Sequence, residues 1–383
     1  MKNGWQYKRL GDVCEIIKGR KPVLKRTPLN GDLPYLVAKV MRNSKDAEYA
    51  SLKDRNSIAV ETSETIIICD GSNSGEVFTG FRGILSSTMG KISKKAEIDD
   101  NYLRAFLAST FEVFNGAKTG AAIPHLDKNA LYDLQFPCPP LPEQKRIVGI
   151  LDKAFDGIAT AKANAEKNLR NARELFESHL QTIFTQRGAG WVKASLGEVY
   201  DVRDGTHDSP KYHETGYPLI TSKNLKHEGL SFDKVNLINE QDYNKINERS
   251  AVHKGDVLFA MIGTIGNPTR VTIEPKFAIK NVALFKVPPG QNGAFLKYYL
   301  GSGLVISKMM KDARGTTQKF VGLGYLRGFP INIPPLAIQI KITEKLNELS
   351  NETQYLEAIY KKKLAALDEL KKSLLRQAFH GQL

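Results

Sequence analysis

The chain contains a direct internal duplication, and this feature constrains its fold more than any single motif. Its two tryptophans, Trp5 and Trp191, begin similar phrases, WQYKRLGDVCEIIKG and WVKASLGEVYDVRDG. Near the end of each half, PPLPEQKRIVGIL is matched by PPLAIQIKITEKL, in the same order along the chain. Ordered matches of this kind predict two similar structural units, one from each copy.

Each copy ends in a long segment with helical periodicity. Gln144 matches Gln339 at the same spacing as Phe184 matches Phe379, so the two segments have equal length. Elsewhere the spacing changes, which places insertions within the globular parts. Apolar residues recur every three or four positions, as in a coiled coil. They are Ile147, Leu151, Ala154, Ile158, Ala161, Ala165, Leu169, Ala172, Phe176 and Leu180, and then Ile342, Leu346, Leu349, Leu356, Ile359, Leu367, Leu370 and Leu374, with Thr353 and Lys363 as softer positions.

The two helical segments are expected to pair with each other. Prolines before each segment set the start of the helix, and roughly 40 residues at 1.5 Å each give a rod of about 60 Å. A single apolar stripe must be buried, and the nearest partner is the other copy. A duplication with pseudo-twofold symmetry would lay the helices antiparallel. The alternative is that each helix packs onto its own domain.

The remainder of each copy has the pattern of a mixed, irregular domain. Strands are predicted at 61–71, 255–263 and 281–287, and short helices at 101–109 and 294–300. The fold class is therefore α+β, with two globular α/β domains and two long antiparallel coiled-coil helices. The expected boundaries are 1–140 and 188–335 for the domains and 141–187 and 336–383 for the helices.

The amino-acid composition indicates which kind of partner the chain binds. The net charge is +14 and the pI is near 9.4, and the excess is spread over both halves, which indicates a polyanionic partner. No stretch approaches the ~20 apolar residues of a membrane span, and the N-terminus lacks the apolar core of a signal peptide. We therefore expect a cytoplasmic protein without a membrane partner. Cys14, Cys69 and Cys138 lie far apart and are expected to be small buried residues.

The chain resembles the specificity subunits of type I restriction-modification systems (HsdS) over nearly its whole length. The resemblance is carried by the duplication and by the order of PPLPEQKRIVGIL, DGTHDSP (204–210), TSKNL (221–225), GDVLFAMIGTIGN (255–267) and GTTQKFVGLGYLRGFPINIPPL (315–336). It implies two target recognition domains that each read one half of a bipartite, asymmetric site in double-stranded DNA. It also implies that the helices set the spacing and dock two methyltransferase subunits, through which restriction-translocase subunits join.

No catalytic motif is present in the sequence. There is no Asn/Asp-Pro-Pro-aromatic motif of a methyltransferase, no phosphate-binding loop, and no close histidine or cysteine spacing typical of a metal site. We therefore expect no catalytic residue, no metal and no cofactor in this chain. The resemblance assigns S-adenosylmethionine, ATP and Mg²⁺ to the partner subunits, which would perform methylation and ATP-dependent cleavage.

A DNA-reading domain needs cations for phosphates and flat polar groups for base edges. In the second domain such groups lie in Gly-rich, turn-like segments, where Arg suits guanine, Gln suits adenine, and Asn224 suits either a base edge or a turn. The candidates are Thr206, His207, Lys223, Asn224, Lys280, Asn281, Arg314, Thr316, Thr317, Gln318 and Lys319.

The first domain departs from the family pattern, because KGRKPVLKRTP stands where the second has DGTHDSP. Its candidates come from the corresponding polar segments and include several cations for phosphate contact. They are Lys18, Arg20, Lys21, Lys39, Arg42, Asn73, Ser87, Lys118, Thr119 and His125.

Three other functions fit parts of this pattern. The chain could be the DNA-reading subunit of a type II-like system, in which it pairs with a single fused methyltransferase-nuclease. The genes beside this one would identify that case. A coiled-coil adaptor would show no sequence preference for DNA. A stand-alone methyltransferase with an unrecognised site would transfer methyl groups without partners.

Overall fold

The structure of the chain is a computed structural model that describes residues 5–42, 46–116, 125–186, 188–226 and 229–383. Its contacts divide the chain into two compact units. Unit 1 contains Met1–Ala165 and Lys362–Leu383, and unit 2 contains Glu166–Lys361. Each unit thus combines one globular domain with a part of both long helices. Within the described ranges, no helix is both long and apolar enough to cross a membrane.

The globular part of unit 1 consists of short strands and helices. In chain order they are β1 (Gln6–Arg9), α1 (Leu10–Val13), β2 (Cys14–Lys18), β3 (Asp32–Leu36), α2 (Ala38–Met41), β4 (Tyr49–Ser51), β5 (Ala59–Val60), β6 (Ile66–Ile68), β7 (Val77–Phe78), β8 (Gly83–Leu85), β9 (Met89–Lys94), α3 (Asp100–Gly116), α4 (Lys128–Asp133) and β10 (Gln135–Cys138). The first long helix, α5 (Leu141–Thr185), follows directly.

The globular part of unit 2 follows a similar order. Its elements are β11 (Val192–Ser195), α6 (Leu196–Val199), β12 (Asp201–Asp204), β13 (Tyr217–Ile220), a 3₁₀ turn (Ser222–Asn224), β14 (Leu225–Lys226), β15 (Gly229–Leu230), β16 (Asn236–Ile238), α7 (Glu240–Ser250), β17 (Val257–Ala260), β18 (Gly266–Arg270), β19 (Ala278–Ile279), β20 (Val282–Lys286), α8 (Gly293–Gly301), α9 (Gly303–Asp312), α10 (Leu323–Gly328) and β21 (Pro330–Ile333). The second long helix is α11 (Leu336–Phe379).

The strand order confirms the duplication. Unit 1 has a four-stranded sheet in the order β2-β9-β6-β7, and unit 2 has the corresponding sheet β12-β20-β17-β18. A second sheet contains the parallel pair β3 and β8 in unit 1 and the parallel pair β13 and β19 in unit 2. The first strand of each copy pairs antiparallel with the last, β1 with β10 and β11 with β21. The α+β fold class predicted from the sequence is confirmed.

Several predicted elements are shorter or longer than their sequence patterns. The strands predicted at 61–71, 255–263 and 281–287 form as β6, β17 and β20. Each begins later and ends earlier than predicted. The helix at 101–109 extends to Gly116, and the one at 294–300 is α8. The long helices end before the predicted boundaries, α5 at Thr185 and α11 at Phe379.

In unit 1 the long helices run antiparallel. The Lys371 ammonium lies 5.1 Å from the centre of the Phe155 ring, and Lys162 Nζ lies 2.7 Å from Asp368 Oδ1. Residues closer to the end of α5 therefore contact residues closer to the start of α11. The end of α11 also completes the core of the globular domain, because the Phe379 ring packs edge-on against Tyr102 and Phe106 at 5.3 and 5.2 Å.

In unit 2 the same arrangement recurs with the helices exchanged. Phe184, near the end of α5, packs edge-on against Phe295 and Tyr299 at 5.5 and 5.4 Å, in one core with Leu346 of α11. Phe184 and Phe379 are matched residues of the duplication. Each globular domain is therefore completed by the last turns of one long helix, α11 in unit 1 and α5 in unit 2.

An ion pair joins the helices in unit 2. Arg173 Nε donates to Glu357 Oε1 at 2.9 Å, and this bond lowers the pKa of Glu357 to about 2 against the opposing effect of burial. A carboxylate whose pKa falls on folding stabilises the fold above its unfolded pKa, here 4.5. That contribution is lost as the pH falls from there through about 2.

The predicted apolar stripe is confirmed on α5, where every predicted position is buried or half-buried. On α11 the prediction is wrong in part, since Leu356, Ile359 and Leu370 are 40%, 41% and 47% exposed. The inner face of α11 instead passes through Thr353 and Glu357. A sequence pattern that seeks only apolar residues misses this face, because an inward Glu is tolerated once a helix partner supplies a guanidinium.

Leu346 and Leu356 provide a test of this packing. Leu346 is fully buried whereas Leu356 is on the exposed face. We expect Leu346→Ala to lower the free energy of unfolding by about 2–5 kcal/mol, because it leaves a cavity, and Leu356→Ala to change it by less than about 0.5 kcal/mol. Chemical denaturation followed by circular dichroism measures both. Equal losses would contradict the assignment of the inner face.

Two matched glycines sit where the two sheets of each unit approach. A Cβ on Gly19 would lie 2.1 Å from Ser86 O, and a Cβ on Gly205 would lie 2.2 Å from Ile279 O. Only glycine allows this backbone contact, which explains why a glycine ends the opening phrase of both copies.

We expect Gly205→Ala to destabilise the chain by about 1–3 kcal/mol through overpacking. Gly322→Ala is the control, since no atom lies within 4 Å of a Cβ at that position. Thermal unfolding of the two variants measures the difference. A Gly205→Ala protein as stable as the control would show that the close approach is not a constraint.

Candidate nucleic-acid interface

In unit 1 the predicted contact segments meet at one edge of the sheet β2-β9-β6-β7. β2 ends at Lys18, which pairs with Gly90 in β9, and β6 ends at Ile68, which pairs with Met89. Antiparallel neighbours bring the end of one strand beside the start of the next. The loops after β2, after β6 and before β9 therefore lie together, and we call them the unit 1 edge. It contains residues 19–21, 69–76 and 86–88.

A carboxylate between a lysine and a histidine lies at the unit 1 edge. Asp70 Oδ2 is 2.7 Å from Lys18 Nζ, and Asp70 Oδ1 is 2.8 Å from His125 Nδ1. Burial opposes ionisation of Asp70, but the Lys18 ammonium and the His125 ring outweigh it and lower the pKa of this carboxyl. The structure thus brings together Lys18 and His125, which are far apart in sequence. Sequence reasoning missed Asp70, the group that joins them.

The other unit 1 candidates surround this cluster. Arg42 follows α2, forms an ion pair with Glu76, and lies 5.8 Å from the centre of the Phe78 ring. The Asn73 amide oxygen accepts from the Arg42 guanidinium at 2.6 Å, and the amide nitrogen donates to Ser72 O at 3.2 Å. Ser87 donates its backbone N–H to the Tyr35 hydroxyl at 3.1 Å.

The remaining unit 1 candidates are mostly exposed cations. Lys39 is exposed and pairs with Asp46 at 3.2 Å. Arg20 and Lys21 are exposed on the loop after β2. Lys118 and Thr119 lie outside the described residues.

In unit 2 the corresponding loops form a similar edge. β12 ends at Asp204 opposite Ala283, and β17 ends at Ala260 opposite Val282, the first residue of β20. The loops after β12, after β17 and before β20 form the unit 2 edge. It contains residues 205–209, 261–265 and 280–281. A parallel bridge between Thr206 and Lys280 connects two of these loops.

The unit 2 edge also has a carboxylate between two cations, built from different positions. Asp204 Oδ2 is 2.9 Å from His207 Nε2, and its other oxygen pairs with Arg249 of α7. His207 Nδ1 lies 2.7 Å from Asn281 Oδ1. The hydrogen bonds to Asn281 and Asp204 raise the pKa of His207 above its usual value, which favours a charged ring near neutral pH.

The segment 313–320 forms a loop beside this edge. Arg314 and Phe320 exchange two backbone hydrogen bonds of 3.0 and 2.8 Å, which close the loop. Gln318 reaches Gly263, where a Cβ would lie 2.9 Å from Gln318 Nε2. The predicted side chains of this loop are all exposed, and they are Arg314, Thr316, Thr317, Gln318 and Lys319.

Two predicted residues in the 3₁₀ turn after β13 have different environments. Lys223 is exposed and available to a phosphate. Asn224 is buried; its Oδ1 accepts from the Thr221 backbone N–H at 3.0 Å and its Nδ2 donates to Ser231 O at 3.1 Å. Of the two roles expected for Asn224, the structure shows the turn. Its carbonyl oxygen also accepts from the Thr221 hydroxyl at 3.0 Å, so both acceptor positions of the amide are used within the turn.

Helix α7 brings two cations that sequence reasoning missed. Arg249 pairs with Asp204, and Lys245 lines a cleft of about 210 Å³ with Thr206 and Ser209. The N-cap Asn239 and the charged segment after it indicate a surface helix. Nothing in the local sequence indicates that this helix packs beside DGTHDSP, because that contact is long-range.

The described residues contain no cluster of three or more His, Cys, Asp or Glu side chains placed to hold a metal ion. The chemistry of both edges is instead that of hydrogen-bond donors and cations around one ionised carboxylate. Such groups suit recognition of phosphates and base edges.

Comparison with known proteins places this architecture in a family. The chain matches the model of the "Type I restriction modification DNA specificity domain" twice, over residues 2–169 and 189–365. It is 27% identical to the type I restriction enzyme MjaVIII specificity subunit of Methanocaldococcus jannaschii, over 99% of this chain and 93% of that protein.

Two solved structures share the fold. One chain, from a study of complex assembly and conformational transition of the type I R-M system, superposes with a TM-score of 0.79 at 18% identity, covering 100% of this chain and 99% of that one. The HsdS subunit from Thermoanaerobacter tengcongensis gives 0.57 at 18% identity, covering 100% and 98%. The two family matches coincide with the two copies of the duplicated fold. The chain belongs to the family of type I restriction-modification DNA specificity subunits.

Proposed function

We propose that this chain is the non-catalytic, DNA-reading subunit of a type I restriction-modification complex. Unit 1 reads one half of a bipartite site in double-stranded DNA, and unit 2 reads the other half. The observation that carries the proposal is the pair of sheet edges, which share one strand order but carry different side chains. Equal scaffolds with unequal contact groups are what an asymmetric, two-part site requires.

The exposed cations of the two edges would bind phosphates. Arg20 and Lys21 in unit 1, and Lys223 and Lys319 in unit 2, are solvent-exposed. Arg314 and Gln318 are suited to base edges, because Arg pairs with guanine and Gln with adenine. Binding through several phosphate contacts makes the affinity fall steeply with salt.

The long helices would act as the spacer between the half-sites. α5 and α11 have 45 and 44 residues, and an ion pair joins them within each unit. Ion pairs at fixed positions, together with the aromatic contacts at the helix ends, hold the helices in one register. A fixed register of the helices within each unit is what a spacer for a defined gap in the DNA site requires.

An exposed apolar strip on α11 would dock a methyltransferase subunit. Tyr355, Leu356 and Ile359 are 69%, 40% and 41% exposed, and their spacing puts them on one helix face. Solvent-exposed apolar strips of this kind mark interaction sites. S-adenosylmethionine, ATP and Mg²⁺ would be bound by the methyltransferase and translocase partners, which perform the reactions.

Exchange of the first domain tests the two-reader proposal. Replacing residues 1–140 with the domain of another family member, with both helices kept, should change one half of the methylated motif and leave the other half unaltered. Methylome sequencing of a host that carries the gene and its neighbouring methyltransferase gives the motif. A change in both halves, or in neither, would refute the proposal.

Substitution of Ile359 tests the docking strip. Ile359→Asp should weaken assembly with the methyltransferase about tenfold or more, because it places a charge in an apolar interface. Its thermal stability should be unchanged, since the residue is exposed. Ala365→Asp, at an exposed position of the same helix six residues beyond Ile359, is the control. Analytical ultracentrifugation with the purified methyltransferase measures assembly; equal assembly by both variants would remove the strip from the interface.

A further inference from the structure

Asn281 is held rigidly at the unit 2 edge. Its backbone adopts φ 54°, a left-handed conformation that Asn tolerates better than most residues. Its backbone N–H donates to Thr206 O at 3.1 Å, and the Lys280 N–H before it donates to Ile220 O at 2.9 Å. The side chain therefore starts from a fixed position, and only the rotation of its amide remains to be decided.

His207 decides that rotation. Asp204 is paired with Arg249, and an ionised carboxylate only accepts hydrogen bonds. His207 Nε2, 2.9 Å from Asp204 Oδ2, therefore carries a proton. The Asn281 carbonyl oxygen, 2.7 Å from Nδ1, also only accepts, so Nδ1 carries a proton as well. The arrangement is that of a charged imidazolium between two acceptors, consistent with the raised pKa of His207.

The charge of His207 consequently sets which face of the Asn281 amide is free. While the ring is charged, Oδ1 is occupied and the Nδ2 group, with no partner among the described residues, is the outward donor. Loss of the Nδ1 proton turns that nitrogen into an acceptor. The amide must then turn over, so that Nδ2 donates to the ring and Oδ1 faces outward.

We propose that Asp204 and His207 form a relay that orients the Asn281 amide, and that Asn281 is a specificity residue whose base preference changes with pH. The inference rests on the proposed function, in which the unit 2 edge reads DNA. An outward Nδ2 matches the major-groove acceptors guanine O6 and thymine O4, whereas the N7 acceptor is common to guanine and adenine and does not distinguish them. An outward Oδ1 matches donors, adenine N6 or cytosine N4. Asp204 and His207 are positioning residues, and Asn281 makes the contact.

The charges around the relay are defined. Arg249 of α7 faces the ring and opposes its protonation, while Asp204 favours it. The open cleft beside it is lined by further charged side chains from β12, α7 and α10, which are Asp201, Arg203, Lys245, Glu248 and Arg327. The corresponding position in unit 1 differs, because Lys18 replaces Asp204 and His125 contacts Asp70. The first half-site thus provides an internal control.

The test is selection of a random double-stranded DNA library by the full chain at about pH 6 and about pH 9, on either side of a raised histidine pKa. Asn281→Gly identifies the position that Asn281 reads, because glycine keeps the left-handed backbone and removes the amide. At that position the wild type should favour guanine or thymine at the lower pH. The preference should move about fivefold toward adenine or cytosine at the higher pH, the effect of about one hydrogen bond.

His207→Gln separates the relay from a general effect of pH. Its preference at that position should be the same at both pH values, while the first half of the motif is unchanged in every variant. The relay is refuted by a pH shift that persists in His207→Gln, by a wild-type preference that does not move, or by an Asn281→Gly motif identical to the wild type. In those cases a selected motif still supports the proposed function. If no motif is selected at either pH, the proposed function fails and the relay with it.

Discussion

The packing of each long-helix end into a globular domain is the contact on which the rest of the structure depends. In unit 1, Phe379 of α11 joins Tyr102 and Phe106 of α3, and in unit 2 Phe184 of α5 joins Phe295. Aromatic side chains bury a large apolar area and pack in few geometries. Each contact therefore fixes where a helix ends against a domain. Each unit is built from residues of both copies of the internal duplication.

Loops that contain polar residues lie together at one edge of each four-stranded sheet. The apolar faces of the four-stranded sheets lie in the domain cores, and the loops at one edge of each sheet carry exposed side chains, among them Arg20 and His207. At both edges a carboxylate contacts a histidine and a second basic side chain, Asp70 in unit 1 and Asp204 in unit 2. Asp204 ends β12 whereas Asp70 lies in the loop after β6, so the two carboxylates occupy different positions in one strand order.

Much of the fold could be predicted because its strongest signals are periodic and local. The stripe on α5 and the glycines at Gly19 and Gly205 were readable in this way, since they follow from helix geometry and from a close backbone approach. The contact face of α11 was predicted less well, because Glu357 is inward-facing only through its pairing with Arg173. The polar segments that the structure brings together at each edge could be read from the sequence, whereas Asp70 and Arg249 were missed because their partners are distant in sequence.

The sequence by itself determined the duplication, the equal lengths of the long helices and the polar segments of each domain. Those features depend on the order and spacing of residues along the chain. Only the tertiary structure decided which polar residues act together: it buried Asn224 in a turn and set His207 between Asp204 and Asn281. The physical reason is that a hydrogen bond spans about 3 Å in space, whatever the separation of its partners along the chain.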